Sequence, residues 1–117
     1  MAKHVVCSVA ELAPGSRKIV EIDGRSIGVI NVDGTLYALR NVCPHQGAPL
    51  CEGTVGGTMM PSDPYEYVYG LSGRVLRCPW HGWEFDLESG RSIFEPERIR
   101  VKTYPVTVDD GAIVIDA

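Results

Sequence analysis

The sequence predicts an all-β domain, a small antiparallel β-sandwich or barrel base carrying a metal-binding insertion. Three observations carry this. Short β-branched runs alternate with Asp-Gly pairs at 23–24, 33–34 and 110–111, a dipeptide whose two residues both accept positive φ and so favours tight hairpins. No run of useful length shows the 3.6-residue apolar period of an amphipathic helix. Two cysteine–histidine pairs, Cys43-Pro44-His45 and Cys78-Pro79-Trp80-His81, interrupt the middle of the chain. At 117 residues the length fits a single domain with a modest core.

The elements follow in order. Residues 3–9 form a first strand, broken by the turn chemistry of Pro14-Gly15. Arg17–Ile22, residues 25–32 and Thr35–Arg40 form three strands joined by the first two Asp-Gly turns. Arg74–Arg77 leads into the second cysteine–histidine pair, Trp83–Asp86 leads out, and Leu87–Gly90 closes that hairpin. Residues 98–108 and Ala112–Asp116 pair across Asp110-Gly111. The base comprises about residues 1–40 and 94–117, and the metal-binding part about 41–93.

Cysteine with histidine is a soft-to-borderline ligand set, suited to zinc or iron–sulfur centres and not to magnesium or calcium. Two pairs make four ligands, enough for one closed site. Zinc pairs are usually C-x₂₋₄-C or H-x₃₋₅-H, converging on one ion. Here the pairs are C-x-H and C-x-x-H, which suits two irons, one held by two cysteines and the other by two histidines. A single tetrahedral zinc is the alternative. Pro44 and Pro79 stiffen the two loops, and Gly47 and Gly82 let the backbone approach the centre.

These residues, with the run Cys78-Pro79-Trp80-His81-Gly82-Trp83-Glu84-Phe85-Asp86 and the Gly90 turn, resemble a Rieske 2Fe–2S domain. The closer likeness is to the ferredoxins and Rieske domains of ring-hydroxylating oxygenase systems, over most of the chain. The resemblance implies a Rieske-type base with a small cluster-binding subdomain and one 2Fe–2S cluster. It also implies that Cys43 and Cys78 ligate one iron and His45 and His81 the other, valence-changing one. The implied partners are a flavin- and NAD(P)H-dependent reductase and a terminal oxygenase.

Departures from the family's high-potential branch are informative. That branch carries an extra cysteine in each loop, at positions held here by Ala48 and Trp80, so its disulfide has no counterpart. It also carries a serine and a tyrosine where this chain has Trp83 and Phe85. Hydroxyl hydrogen bonds to the sulfurs raise the potential, so their absence places this centre near the lower end of the roughly −150 to +300 mV Rieske range.

The resemblance further implies an insertion at about residues 53–73, since the connection between the ligand pairs is longer than in most such ferredoxins. It is rich in loop formers, with Tyr65, Tyr67 and Tyr69 alternating. It reads as an elaborated hairpin whose tyrosines pack on the domain, or as a flap forming part of a docking surface. Trp80, Trp83 and Pro49 form either an apolar collar at the ligand tips or plain core.

The remaining signals mostly exclude. The net charge of −4 argues against nucleic acid. There is no Gly-rich dinucleotide fingerprint, nucleophile–base pair or second metal set, so catalysis by this chain alone is not expected. The N-terminus lacks a secretory pattern and no stretch reaches membrane-span length, which together suggest a cytoplasmic setting. Cys7 reads as a small buried hydrophobe and Cys51 as structural, and no disulfide between them is expected in that setting. His4 is given no role. Two other readings stay open: a small Rieske-like subunit of a nitrite-reductase-type enzyme, and a zinc-stabilised interaction module.

Overall fold

The computed structural model describes residues 2–44, 47–60, 68–79, 83–93 and 96–117, without the side chains of 57–60 and 68–74. The described strands form three antiparallel sheets. In chain order they are β1 (Lys3–Ser8), β2 (Arg17–Ile22), β3 (Arg25–Val32), β4 (Thr35–Arg40), β5 (Thr54–Met60), β6 (Val68–Arg77), β7 (Glu84–Asp86), β8 (Thr103–Tyr104), β9 (Val106–Asp109) and β10 (Ala112–Asp116). The sheet orders are β1-β10-β9, β2-β3-β4-β8 and β5-β6-β7. Two single 3₁₀ turns, Val9–Glu11 and Leu50–Glu52, are the only helical elements among the described residues.

The hairpins form where the turn chemistry places them. Asp23, Asp33 and Asp110 adopt φ near +50°, and the glycines after them adopt φ of +77°, +93° and +77°. Positive φ at both central residues matches the twist of the flanking strands. Register follows: Ile22 faces Arg25, Val32 faces Thr35, and Asp109 faces Ala112. The second turn is also tied from inside. Asn31 is buried, its Nδ2 donates to the Leu12 carbonyl at 2.8 Å, and its Oδ1 accepts the Gly34 N–H at 2.8 Å.

Two expectations need correction. The strand expected over 98–108 is two short strands, β8 against β4 and β9 against β10. Pro105 stands at the switch between the sheets; it has no N–H for either ladder, and its carbonyl accepts the Asp116 N–H at 3.0 Å. The first strand stops at Ser8, after a register shift between Val5 and Cys7, and passes into the Val9–Glu11 turn.

Strands β5 and β6 pair antiparallel over most of the stretch read as an insertion. Thr54–Gly56 pairs with Val75–Arg77, and Thr58–Met60 with Val68–Gly70, with a register shift between. The third strand, β7, reaches only Val75–Arg77. Among the described residues the outer part of the ribbon is therefore two-stranded. Tyr65 and Tyr67 lie outside the described residues.

The buried side chains form two clusters. One gathers Cys7, Leu12, Ile27, Val29, Ala38, Tyr104, Ile113 and Ile115 between the first two sheets. The other gathers Ile30, Leu39, Leu50, Leu76, Phe85 and Leu87 around Cys43, Cys51 and Cys78. No cysteine is in a disulfide, and Cys7 and Cys51 belong to different clusters.

Candidate metal centre

The first loop starts where β4 ends. The Asn41 N–H donates to the Ser26 carbonyl at 2.8 Å and its Nδ2 to Ser26 Oγ at 3.1 Å, which ties the loop's root to β3. Asn41 Oδ1 accepts the Cys51 N–H at 2.8 Å, so entry and exit of the loop share one side chain. Between them the backbone folds back on itself. The Cys43 N–H donates to the Ala48 carbonyl and the Gly47 N–H to the Cys43 carbonyl, both at 2.8 Å. Gly47 makes this turn at φ +73°, in the left-handed region that favours glycine. Its use is conformational, since nothing stands within 4 Å of where its Cβ would be.

The second loop joins β6 to β7. Its closure is the Cys78 N–H donating to the Trp83 carbonyl at 2.7 Å. Below it Arg77 faces Glu84 across the ladder, with Nη2 3.1 Å from Oε2. The turn after β7 is closed by the Gly90 N–H on the Asp86 carbonyl at 2.7 Å and by Ser89 Oγ on Asp86 Oδ2 at 2.9 Å.

The structure brings Cys43 and Cys78 together in one apolar cluster, with 1 % and 2 % of their surface exposed. His45 and His81 lie outside the described residues, as do Trp80 and Gly82. Among the described residues, accordingly, no group of three or more His, Cys, Asp or Glu side chains is placed to hold a metal ion. What is described fits a thiolate-binding centre. Each cysteine opens a loop closed by its own N–H, and neither sulfur is oxidised to a disulfide. Soft cysteine sulfur in a dry cluster with Leu50, Phe85 and Leu87 suits a zinc or iron–sulfur centre.

Phe85 is fully buried in the same cluster and Trp83 packs against it, so neither position offers a hydroxyl there. Pro49 is half-buried and leads directly into the Leu50–Glu52 turn.

Cys51 is a different kind of cysteine. Burial pushes its thiol up from 9.0 to about 12, against smaller lowering effects from the Gly28 backbone and the Arg17 charge. It stays a thiol at neutral pH, with Sγ 3.6 Å from the Leu39 carbonyl it donates to. Gly28 on β3 makes room for it, because a Cβ there would stand 2.4 Å from Cys51 Cβ. Sequence reading gave Cys51 a structural role, but it did not single out Gly28, Gly53 or Arg17. A glycine inside a β-branched run was the available signal for close approach at Gly28. Arg17 carried none.

Comparison with known proteins identifies the family. Residues 2–105 match the model of the Rieske 2Fe-2S domain. The chain is 29 % identical to the ferredoxin component of a naphthalene 1,2-dioxygenase system from Pseudomonas aeruginosa, over 91 % of this chain and 86 % of that protein. It is 31 % identical to the 3-phenylpropionate/cinnamic acid dioxygenase ferredoxin subunit of Photorhabdus laumondii, over 98 % and 94 %. Among solved structures it resembles a chain in the complex of reduced oxygenase and oxidized ferredoxin in carbazole 1,9a-dioxygenase. That match has a TM-score of 0.74 and 26 % identity, covering 97 % of this chain and 91 % of the matched one. With the fold, the paired loops and these matches in agreement, the chain belongs to the Rieske 2Fe–2S domain family, whose cofactor is one 2Fe–2S cluster.

Proposed function

We propose that this chain is a one-electron carrier of an oxygenase system. Cys43 and Cys78 hold one iron of a single 2Fe–2S cluster, and His45 and His81 hold the other. The carrier takes an electron from a flavin- and NAD(P)H-dependent reductase and delivers it to a terminal oxygenase, without catalysing a reaction itself. Residues 41–93 form the cluster-binding part, with the flap at 53–73, on a base of residues 1–40 and 94–117. The setting is cytoplasmic; among the described residues no helix is long and apolar enough to cross a membrane.

The observation that carries this is the burial of Cys43 and Cys78 in one cluster, in a chain matched over nearly its whole length by ferredoxin components. Bound there, the cluster supplies a one-electron couple. The chain's own part is to exclude water from both sulfurs and to hold the loops still, so that little reorganises when the charge changes. Phe85, lacking a hydroxyl, donates no hydrogen bond toward the sulfurs, which keeps the potential low.

The test is absorption and low-temperature EPR on anaerobically purified protein, before and after dithionite, with iron and sulfide analysis. A brown protein that bleaches and gives a rhombic signal of low average g supports the assignment. A colourless, EPR-silent protein containing zinc overturns it.

A further inference from the structure

We infer that Arg17, on the base strand β2, is a positioning residue for the metal centre, latching together the two loops that carry Cys43 and Cys78. The inference rests on the carrier reading above for its purpose, but its geometry stands alone. Arg17 Nη1 donates to the Cys51 carbonyl at 2.7 Å and also to the Gly53 carbonyl. Both acceptors belong to the short turn that ends the first ligand loop, where Asn41 already holds the Cys51 N–H.

The turn presses on the second loop. A Cβ on Gly53 would stand 1.8 Å from the Arg77 carbonyl oxygen and 2.9 Å from its carbon. Gly53 therefore lies flat against the peptide that joins Arg77 to Cys78. One guanidinium thus fixes the stretch in which the exit of the first loop meets the entry to the second.

Arg17 is itself anchored, since β2 pairs with β3 along its length and Arg17 faces Ile30. Arg17 lines a cleft of about 610 Å³ together with Asn31, Asp33, Glu52 and Gly53. The described contacts of the guanidinium are both to backbone carbonyls, so it sets the position of the chain and not of a partner side chain. Hydrogen bonds from a charged donor are stronger than neutral ones and directional, which suits this use.

The test is Arg17→Met, which keeps the stem and removes the donors. Amide hydrogen exchange on the purified protein should accelerate roughly tenfold or more at Gly53, Cys78 and Cys43. Exchange at Val29 and Ile113 should not change. The reduced EPR signal of the same variant should shift or broaden in g. Unchanged exchange at the three amides overturns the inference. Uniform acceleration across the base also overturns it, because it would mean general stabilisation only. If Arg17→Met does not accumulate, Arg17→Gln decides: its amide ends two atoms short of Nη1, and wild-type exchange at the three amides overturns the latch. Iron and sulfide analysis separates this outcome from failure of the carrier reading, since the exchange pattern is read whichever metal is present.

Discussion

Replacing Gly53 by alanine tests how the two ligand loops are spliced. Gly53 sits at φ −74° and ψ −175°, ordinary extended backbone, so alanine meets no conformational penalty. The penalty is one of space. The new Cβ would fall 1.8 Å from the Arg77 oxygen, 2.9 Å from the Arg77 carbonyl carbon and 3.0 Å from the Leu50 oxygen. All three are backbone atoms, so no side-chain rotation relieves the clash. The Arg77–Cys78 peptide must retreat by about 1 Å or more before the contact becomes even a tight one. Overpacking of a close-packed site costs about 1–3 kcal/mol, and a clash against fixed backbone belongs at the upper end. Against a total stability of about 5–15 kcal/mol, a loss near 3 kcal/mol lowers Tm by roughly 10 °C or more. Because the retreating peptide carries Cys78, iron content per chain should fall with it. Gly34→Ala is the control. Gly34 has φ +93° with nothing within 4 Å of a built Cβ, so the cost is strain alone, about 1–2 kcal/mol, with iron content kept. Urea unfolding and iron analysis on both variants decide the matter. Gly53→Ala within about 0.5 kcal/mol of wild type and fully loaded with iron would refute the reasoning.

Two further outcomes follow from buried polar groups. Because burial holds the Cys51 thiol at about 12 and the unfolded value is 9.0, the unfolded chain sheds this proton first as pH rises. Stability is therefore intact below pH 9 and declines between pH 9 and 12, by about 1.4 kcal/mol per pH unit once the unfolded thiol ionises. Urea midpoints of wild type and Cys51→Ala over that range check the sign: the alkaline slope should flatten in the variant. Asn31→Leu leaves the Leu12 carbonyl and the Gly34 N–H without their side-chain partner, which should cost about 2–3 kcal/mol in urea unfolding. A near-neutral result would mean that water replaces the amide at both atoms.

What was legible in the sequence is what local chemistry decides. The Asp-Gly turns announce themselves because few residue pairs accept positive φ twice, and their strands follow within a residue or two. The two cysteine–histidine loops stand out because that pairing at such spacing has few other uses, and the fold brings Cys43 and Cys78 into one buried cluster. The split at Pro105 is not, because an extended run looks the same whether its two halves join one sheet or two. Gly53 shows the same limit. In sequence it opens a glycine-rich stretch and reads as a loop former. Only the fold brings the Arg77 carbonyl against it, from twenty-four residues further along the chain.

That contrast bears on how the centre is built. The two cysteine–histidine loops are marked by residue type, but the contacts that set their spacing are visible only in the fold. The Arg17 guanidinium bonds two carbonyls, Gly28 leaves room for the Cys51 side chain, and Gly53 leaves room for the Arg77 carbonyl. Cys51 belongs with them, since its N–H, carbonyl and thiol are engaged by Asn41, Arg17 and the Leu39 carbonyl respectively. A one-electron carrier gains from such an arrangement, because reorganisation on charge transfer is small only if the ligand loops cannot move relative to one another. Side chains aimed at the centre tune its charge, whereas these contacts hold the frame against which tuning has a fixed effect. Substitutions at Arg17, Gly28 and Gly53 should then act together wherever they share the Leu50–Gly53 turn. Coupling in double-mutant cycles between Arg17→Met and Gly53→Ala should exceed about 0.5 kcal/mol, because each loosens the same peptide.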